Sequence, residues 1–265
     1  YRQMETLQLD TNNNWLYCFM GANLALNNKK AAIAEKVLTQ RTMSKEYMQF
    51  PMLAYELGTA KMRRLDYTAI QDFEDFLQTS KGHFYLRDAC MNIALCFYLQ
   101  QNMKQANLYK EKILQLGKQE SDADKQASYF AKHEKFPQKD LLKARLLNDG
   151  GYQEEALKIL VKINPTTLRT EAEQLECIYR FARVYDDLDQ QDLALEYYKK
   201  TIEKGIHATE YFAARAALQS AYIYEKRGNK KEAERLFTLL LHMGEHAYKN
   251  SLDQRAKAGL NRLRG

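Results

Sequence analysis

Proline and glycine are scarce in this sequence. Only three prolines and 11 glycines occur among 265 residues, so few positions stop a helix or force a tight turn. The chain also lacks alternating runs of valine, isoleucine and threonine between turn residues, which are typical of β-strands. Leucine, alanine, lysine and glutamine instead fill long segments with apolar residues at helical spacing. The sequence therefore predicts an all-α protein.

Continuous hydrophobic runs are missing as well. No stretch approaches the roughly 20 apolar residues of a membrane-spanning helix, and no charged-then-apolar leader stands at the start of the sequence. We therefore expect a soluble protein without a transmembrane segment. Because the chain begins at Tyr1 rather than methionine, it is expected to be a processed form or a fragment of a longer chain. The sequence leaves the compartment open between cytoplasm and periplasm.

Motifs for catalysis and cofactor binding are also missing. The sequence has no P-loop, no GxGxxG, no GxSxG and no HExxH. Its four cysteines form no CxxC pair, which favours small buried side chains over metal ligands. The 40 basic and 34 acidic residues give a net charge of +6 and are mixed along the chain, as on solvated helix faces. We therefore predict a non-catalytic protein with no cofactor, no metal and no nucleic-acid partner.

One stretch, HMGEH at residues 242–246, matches the HxxEH pattern in which two histidines on one helical face hold zinc. That chemistry requires an unbroken helix and a third ligand further along the chain. Gly244 stands between His242 and His246, where we expect it to end the helix. Only 19 residues follow His246. The favoured interpretation is a pair of helix-end histidines, and a zinc hydrolase is the disfavoured alternative.

Small residues recur in one register along the chain. Each is followed by a turn and then by alanine or isoleucine, and they are Gly21, Gly58, Ala94, Ala144, Ala182 and Ala221. Their spacings are 37, 36, 50, 38 and 39 residues, and a further 38 residues lead to Gly259. A repeated helix-turn-helix explains this pattern, because a small residue in the first helix lets the second helix cross closely.

These residues resemble the tetratricopeptide repeat (TPR) family over nearly the whole chain. Besides the small residues, the markers are Phe97, Tyr185, Tyr224, Ala106, Ala156, Ala194 and Ala233. The repeats run longer than the family's usual period of about 34 residues. The stretches LLKARLLNDGGY and YKNSLDQRAKAGLNRL are also similar to parts of long TPR proteins of Bacteroidetes. The resemblance implies a right-handed α-solenoid of about six TPR-like helix-turn-helix repeats.

The register divides the chain into repeats, an insert and a final helix, which we treat as one superhelical domain over 1–265. The repeats are expected near 14–47, 51–80, 87–117, 137–165, 175–206 and 214–245. The long interval holds an insert near 118–136, in which Ser121 and Asp124 predict a capped helix start. A last helix near 247–263 is expected to cap the solenoid.

Stacked helix pairs present their first helices along an extended concave surface that suits peptides or helices. The TPR register places the following candidates on that surface: Tyr55, Arg63, Tyr98, Arg145, Asn148, Tyr179, Arg183, Asp186, Tyr222, Glu225 and Lys226. Aromatic residues and arginine, which are the usual anchors of protein interfaces, dominate the set. We therefore predict a scaffold that binds a peptide or helical segment of a partner protein in this groove.

RNA binding is the alternative function, since pentatricopeptide proteins also stack two-helix repeats of similar length. Helical RNA readers of this kind recognise one base per repeat with pairs of side chains. The uneven spacing, together with the acidic residues Asp186 and Glu225 in the predicted groove, disfavours that reading.

Overall fold

The computed structural model describes residues 14–40 and 50–264 of the chain. In these ranges the structure contains fourteen α-helices and one 3-10 turn at Pro165–Thr167, with no β-strand. The predicted all-α class is confirmed. None of the described helices is long and apolar enough to cross a membrane. The end of the first expected repeat, residues 41–47, lies outside the described ranges.

The helices are named here in chain order. The first seven are α1 (Trp15–Asn27), α2 (Ala31–Thr39), α3 (Met52–Met62), α4 (Ala69–Thr79), α5 (Leu86–Leu99), α6 (Met103–Lys112) and α7 (Asp122–His133). The others are α8 (Lys139–Gly150), α9 (Gln153–Leu160), α10 (Glu171–Asp187), α11 (Gln191–Gly205), α12 (Phe212–Lys226), α13 (Lys230–Leu241) and α14 (Lys249–Arg264). The insert thus carries α7, and the chain's final segment carries α14.

The chain divides into two compact units. Unit 1 contains Tyr1–Lys139 and Leu146–Tyr152, and unit 2 contains Asp140–Arg145 and Gln153–Gly265. In unit 1, α1 pairs with α2, α3 with α4 and α5 with α6, while α7 packs on α5. In unit 2, α10 pairs with α11 and α12 with α13, while α14 packs on both α12 and α13. The sequence register gives no sign of this division, because it falls within α8, where the repeat pattern is continuous.

The two helices of a pair are joined by a turn with one left-handed residue. These residues have φ between 56° and 94°, and they are Lys29, Leu65, Gln101, Gly151, Asp189 and Gly228. After each one, the next backbone N–H donates to the carbonyl five residues earlier, as in Lys30 to Ala25 and Gln190 to Tyr185, both at 2.9 Å. This arrangement is the Schellman motif, which satisfies carbonyls left free at a helix end.

The turns and the small residues follow the same register. From Gly58 onward, each turn residue lies seven positions after a small residue of the sequence pattern. In the first pair, however, Lys29 lies seven positions after Ala22 and eight after Gly21. Ala22 is fully buried. The turn register of this pair therefore corresponds to Ala22, one residue after the Gly21 of the sequence pattern, and both residues are buried.

Small residues stand where a second helix crosses a first helix closely. A methyl group on Gly58 of α3 would lie 3.0 Å from the ring of Phe73 on α4. In unit 2, a methyl group on Gly259 of α14 would lie 2.4 Å from the ring of Phe237 on α13. Alanine fills the equivalent place in other pairs and is fully buried at Ala94, Ala182 and Ala221. Local sequence thus sets how near the helices approach.

The insert helix α7 is fixed to unit 1 by a buried carboxylate. Asp124 is completely buried, and its two oxygens accept backbone N–H groups of Tyr85 at 2.7 Å, Arg87 at 3.0 Å and Asp88 at 3.2 Å. These N–H groups stand at the start of α5 and have no partner within that helix. Asp124 therefore caps α5 from another helix, while Ser121 caps α7 itself through the N–H of Asp124 at 3.0 Å.

We expect Asp124→Ala to destabilise unit 1 by about 3 kcal/mol, because several buried N–H groups lose a charged acceptor. The matched control is Asp122→Ala in the same turn, whose exposed carboxylate contacts only Lys125 at 3.0 Å and should change stability little. Urea unfolding followed by circular dichroism measures both, and amide exchange at the start of α5 locates the effect. Equal losses in the two variants would contradict the capping role.

The end of α8 lies against two earlier turns of unit 1 with no room for side chains. A methyl group on Gly150 would lie 2.5 Å from the carbonyl oxygen of Arg63, and one on Gly151 would lie 2.1 Å from that of Lys29. Gly151 also has a φ of +94°, which L-residues rarely adopt. The following residue, Tyr152, packs against the core formed by α1 to α3. This pair of glycines is therefore required by tertiary packing as well as by the turn.

Gly151→Ala and Gly228→Ala separate these two requirements. Gly228 has a φ of +76° but open space around the position of a side chain, so its substitution should cost about 1 kcal/mol from backbone strain alone. Gly151→Ala should cost about 3 kcal/mol more, because the carbonyl of Lys29 must move. Denaturant unfolding measures both, and similar losses would show that the close approach at Gly151 is unimportant.

Candidate interaction surface

The predicted groove residues are distributed over both units. Unit 1 holds Tyr55, Arg63, Tyr98 and Asn148, and unit 2 holds Arg145, Tyr179, Arg183, Asp186, Tyr222, Glu225 and Lys226. The two sets differ in how much of each side chain is available to a partner.

The unit 1 residues are engaged in contacts within the unit. The Tyr55 hydroxyl donates to Asp88 at 2.5 Å, and its ring packs against Phe73 with 5.8 Å between centroids. Arg63 donates to the carbonyl of Leu26 at the end of α1 at 2.8 Å. These bonds join consecutive helix pairs, so their loss would cost stability before any partner is considered.

Tyr98 and Asn148 are similarly placed. The Tyr98 ring stacks on Phe136 with 4.6 Å between centroids, and its hydroxyl donates to the carbonyl of Pro137 at 2.8 Å. Asn148 is only 4% exposed. The predicted groove residues of unit 1 therefore act chiefly as packing and hydrogen-bonding groups.

Asp88 is a buried carboxyl group that titrates far from its usual range. Burial raises its pKa to about 6, hydrogen bonds from Tyr55 and Asn92 oppose the shift, and the charge of Asp124 adds to it. A raised pKa means that folding favours the protonated form. The stabilising contribution of Asp88 is therefore fully present below its unfolded pKa of about 4 and is lost as the pH rises through about 6.

Asp88→Asn should flatten the pH dependence of stability between pH 4 and pH 6.5. Asparagine keeps an oxygen that can accept the Tyr55 hydroxyl but does not titrate. Urea unfolding at half-unit intervals of pH compares it with the wild type and with Asp75→Asn, whose exposed carboxylate contacts Gln71 at 2.9 Å. The control should keep the wild-type slope. An unchanged slope in Asp88→Asn would contradict this assignment.

The unit 2 residues lie on neighbouring first helices. Helix α10 packs on α12, and α12 packs on α14. Residues separated by four, seven and eleven positions share one side of a helix, because successive residues are about 100° apart. This side carries Glu176, Arg180, Arg183 and Asp187 on α10 and Arg215, Gln219, Tyr222 and Lys226 on α12. Together with the adjacent Asp186, Glu225 and Arg262, we call these residues the first-helix face of unit 2.

Ion pairs cover the α10 part of this face. Arg180 donates two bonds to one oxygen of Glu176, at 2.7 and 3.0 Å. Arg183 contacts Asp186 at 3.2 Å and Asp187 at 3.4 Å. Tyr198 from α11 also donates to Asp186 at 2.8 Å. Since each of these charged side chains is at most 20% exposed, the pairs are partly desolvated and stronger than exposed pairs.

Tyr179 lies beneath the face rather than on it. Its side chain is in the core, with the whole residue 3% exposed, and its ring packs against Phe212 of α12 with 5.4 Å between centroids. The Arg180 guanidinium covers both rings, at 5.6 and 5.9 Å from their centroids. Burial raises the pKa of Tyr179 to about 12. This tyrosine therefore joins α10 to α12, and its hydroxyl stays protonated.

Helix α14 is attached to α12 through the predicted residues Tyr222 and Glu225. Arg262 donates to both oxygens of Glu225 at 2.9 Å and lies 5.8 Å from the centre of the Tyr222 ring. The bidentate pair lowers the pKa of Glu225. These contacts fix α14 beside α12 through Arg262. Asp253, Lys257 and Arg264 lie on the opposite side of α14 from Arg262, and Arg264 contacts Glu234 of α13 at 4.0 Å.

Two cations of the face, Arg215 and Lys226, make no side-chain ion pair or hydrogen bond with any described residue, and Arg145 on α8 is in the same condition. Sequence reasoning selected Lys226 and Arg145 but missed Arg215 and Gln219. The TPR register selected positions in only part of each first helix. Arg215 lies seven residues before Tyr222 and therefore on the same side of α12.

The histidines of HMGEH do not share a helical face. Helix α13 ends at Leu241, so His242 is its C-cap and His246 lies beyond it. The Nδ1 atom of His242 lies 2.8 Å from the carbonyl oxygen of Thr238, and that of His246 lies 2.9 Å from the carbonyl oxygen of Ala247. Among the described residues, no group of three histidine, cysteine or acidic side chains could hold a metal ion. The helical zinc geometry is therefore not formed.

Comparison with known proteins gives no assignment: no protein-family model matches the sequence, and no curated protein matches it.

Proposed function

We propose that this chain is a non-catalytic interaction module that binds a peptide or helical segment of a partner protein along the first-helix face of unit 2. The observation that carries the proposal is the contrast between the units. The predicted groove residues of unit 1 are engaged in contacts within that unit. Those of α12 include Lys226, whose exposed side chain makes no hydrogen bond or ion pair with any described residue.

The helix pairs support a repeat architecture as the basis of this function. We infer that they are divergent TPR-like repeats, about six in number, of a right-handed α-solenoid. The left-handed turns recur at intervals of 36, 36, 50, 38 and 39 residues, and small residues stand at equivalent positions before them. In such arrays neighbouring first helices provide an elongated surface for a partner segment.

The composition of the face also suits protein recognition. It combines an aromatic ring at Tyr222 with arginines at 180, 183 and 215, and these residue types are enriched among interface anchors. Partly desolvated ion pairs on α10 hold their side chains in place, so less side-chain entropy is lost when a partner binds.

The proposal is tested by peptide selection followed by blocking. A display library of 12-residue peptides is selected on the purified chain, and the affinities of enriched peptides are measured by fluorescence anisotropy. Gln219→Trp places a bulky ring in the middle of the α12 part of the face, and we expect it to weaken binding at least tenfold. The matched control, Lys158→Trp, places the same ring on an exposed position of α9 and should leave binding unchanged.

Circular dichroism and melting temperature show whether each variant keeps its fold. If Gln219→Trp does not fold, Lys226→Trp at the exposed end of the same stripe replaces it. The proposal fails if no peptide is enriched, or if the face and control variants bind equally well. Salt-dependent retention of single-stranded RNA in a filter assay, lost in the face variant, would favour the RNA-binding alternative instead.

A further inference from the structure

On the first-helix face of unit 2, the acidic side chains have internal partners, whereas some of the cations do not. Each acidic residue of the face has a cation or a hydroxyl donor within the unit. Besides Glu176, Asp186 and Asp187, which are paired on α10, Glu225 is held by Arg262 at 2.9 Å. Two cations of the same face, Arg215 and Lys226, have no such partner among the described residues.

This imbalance decides which partner charge the face attracts. A carboxylate that already contacts an arginine offers a partner little further attraction, because its field is largely cancelled nearby. The cations without partners remain the dominant local charges. Arg215 is also half-buried, and a guanidinium that is partly removed from water gains most from a carboxylate in bidentate contact.

We propose that the segment bound on this face is acidic, and that its carboxylates are recognised by Arg215 and Lys226. This proposal rests on the proposed function of the same face and names the chemical class of its partner. The observation behind it is the juxtaposition of internally paired acids with cations that lack partners.

The positions of the cations set the spacing of the partner's charges. Arg215 and Lys226 are eleven residues apart on one side of α12, which corresponds to about 16 Å along the helix axis. Because successive side chains of an extended chain point to opposite sides, carboxylates four residues apart face the same way, at a separation of about 13 Å. Two glutamates at this spacing therefore reach both cations through their long side chains.

A peptide fits these charges better than a nucleic acid. A phosphate backbone carries a charge at every nucleotide and would meet the acidic side chains of α10 as well as the cations. Although each of those acids is paired, Glu176 and Asp187 remain 17% exposed, so they would oppose a continuous run of negative charge. Discrete carboxylates can be placed on the cations alone.

The test uses three fluorescein-labelled 12-residue peptides that differ at two positions four residues apart, which carry glutamate, glutamine or lysine. They are built on a sequence enriched in the selection above. We expect the glutamate peptide to bind at least tenfold more tightly than the lysine peptide, and its affinity to fall between 50 and 300 mM salt, as charge pairing requires.

Charge reversal in the protein completes the test. Lys226→Glu with Arg215→Glu should weaken binding of the glutamate peptide at least tenfold and should strengthen binding of the lysine peptide. A merely structural effect would weaken both peptides equally. The matched control is Lys158→Glu with Lys162→Glu, two exposed lysines of unit 2 outside the face, and it should leave both affinities close to those of the wild type.

The outcomes separate this inference from the proposed function. If the three peptides bind alike and the reversal has no effect, the acidic partner is refuted while peptide binding stands. If no selected peptide binds at all, both proposals fail. If single-stranded RNA competes with the glutamate peptide and its binding is lost on reversal, the cations serve a nucleic acid and the inference is overturned.

Discussion

Close approach of two helix backbones at a small side chain is the constraint on which the helix pairs depend. At Gly58 an aromatic ring of the second helix occupies the space that a side chain would fill. The chain then reverses through one left-handed residue, whose neighbours satisfy the free carbonyls of the first helix. A pair formed in this way has two helices at a fixed separation, but it can bury its apolar sides only against neighbouring pairs. The repeated pattern in the sequence reflects this shared requirement.

Buried polar groups also connect helices whose relative positions the repeat pattern does not set. Asp124 belongs to the insert, yet it accepts N–H groups at the start of α5. A carboxylate can be completely buried there because backbone donors replace its lost hydration. Asp88 lies next to it and receives the Tyr55 hydroxyl, which links α3 to α5. These contacts explain why predicted groove residues of unit 1 serve the interior of that unit, and why one of its carboxyl groups has a raised pKa.

The first-helix face of unit 2 has a different balance. Its acidic residues are held by arginines and a tyrosine, so their positions are set before a partner arrives. Its remaining cations, Arg215 and Lys226, lie along α12. Pairing of this kind gives a surface with a defined shape and an excess of available positive charge, and such surfaces favour partners of opposite charge in both encounter and orientation. The proposed acidic segment follows from this property.

The sequence by itself determined the helical class, the helix pairing and most of the turn positions. These features depend on short-range chemistry: low glycine and proline, apolar residues at helical spacing, and small residues before each turn. It also selected Tyr222, Glu225 and Lys226 on α12. Only the tertiary structure decided that Tyr179 is buried, that Asp124 caps another helix, and that Gly151 lies against Lys29. Those outcomes depend on residues far apart in the chain, and no local spacing encodes which distant groups will meet.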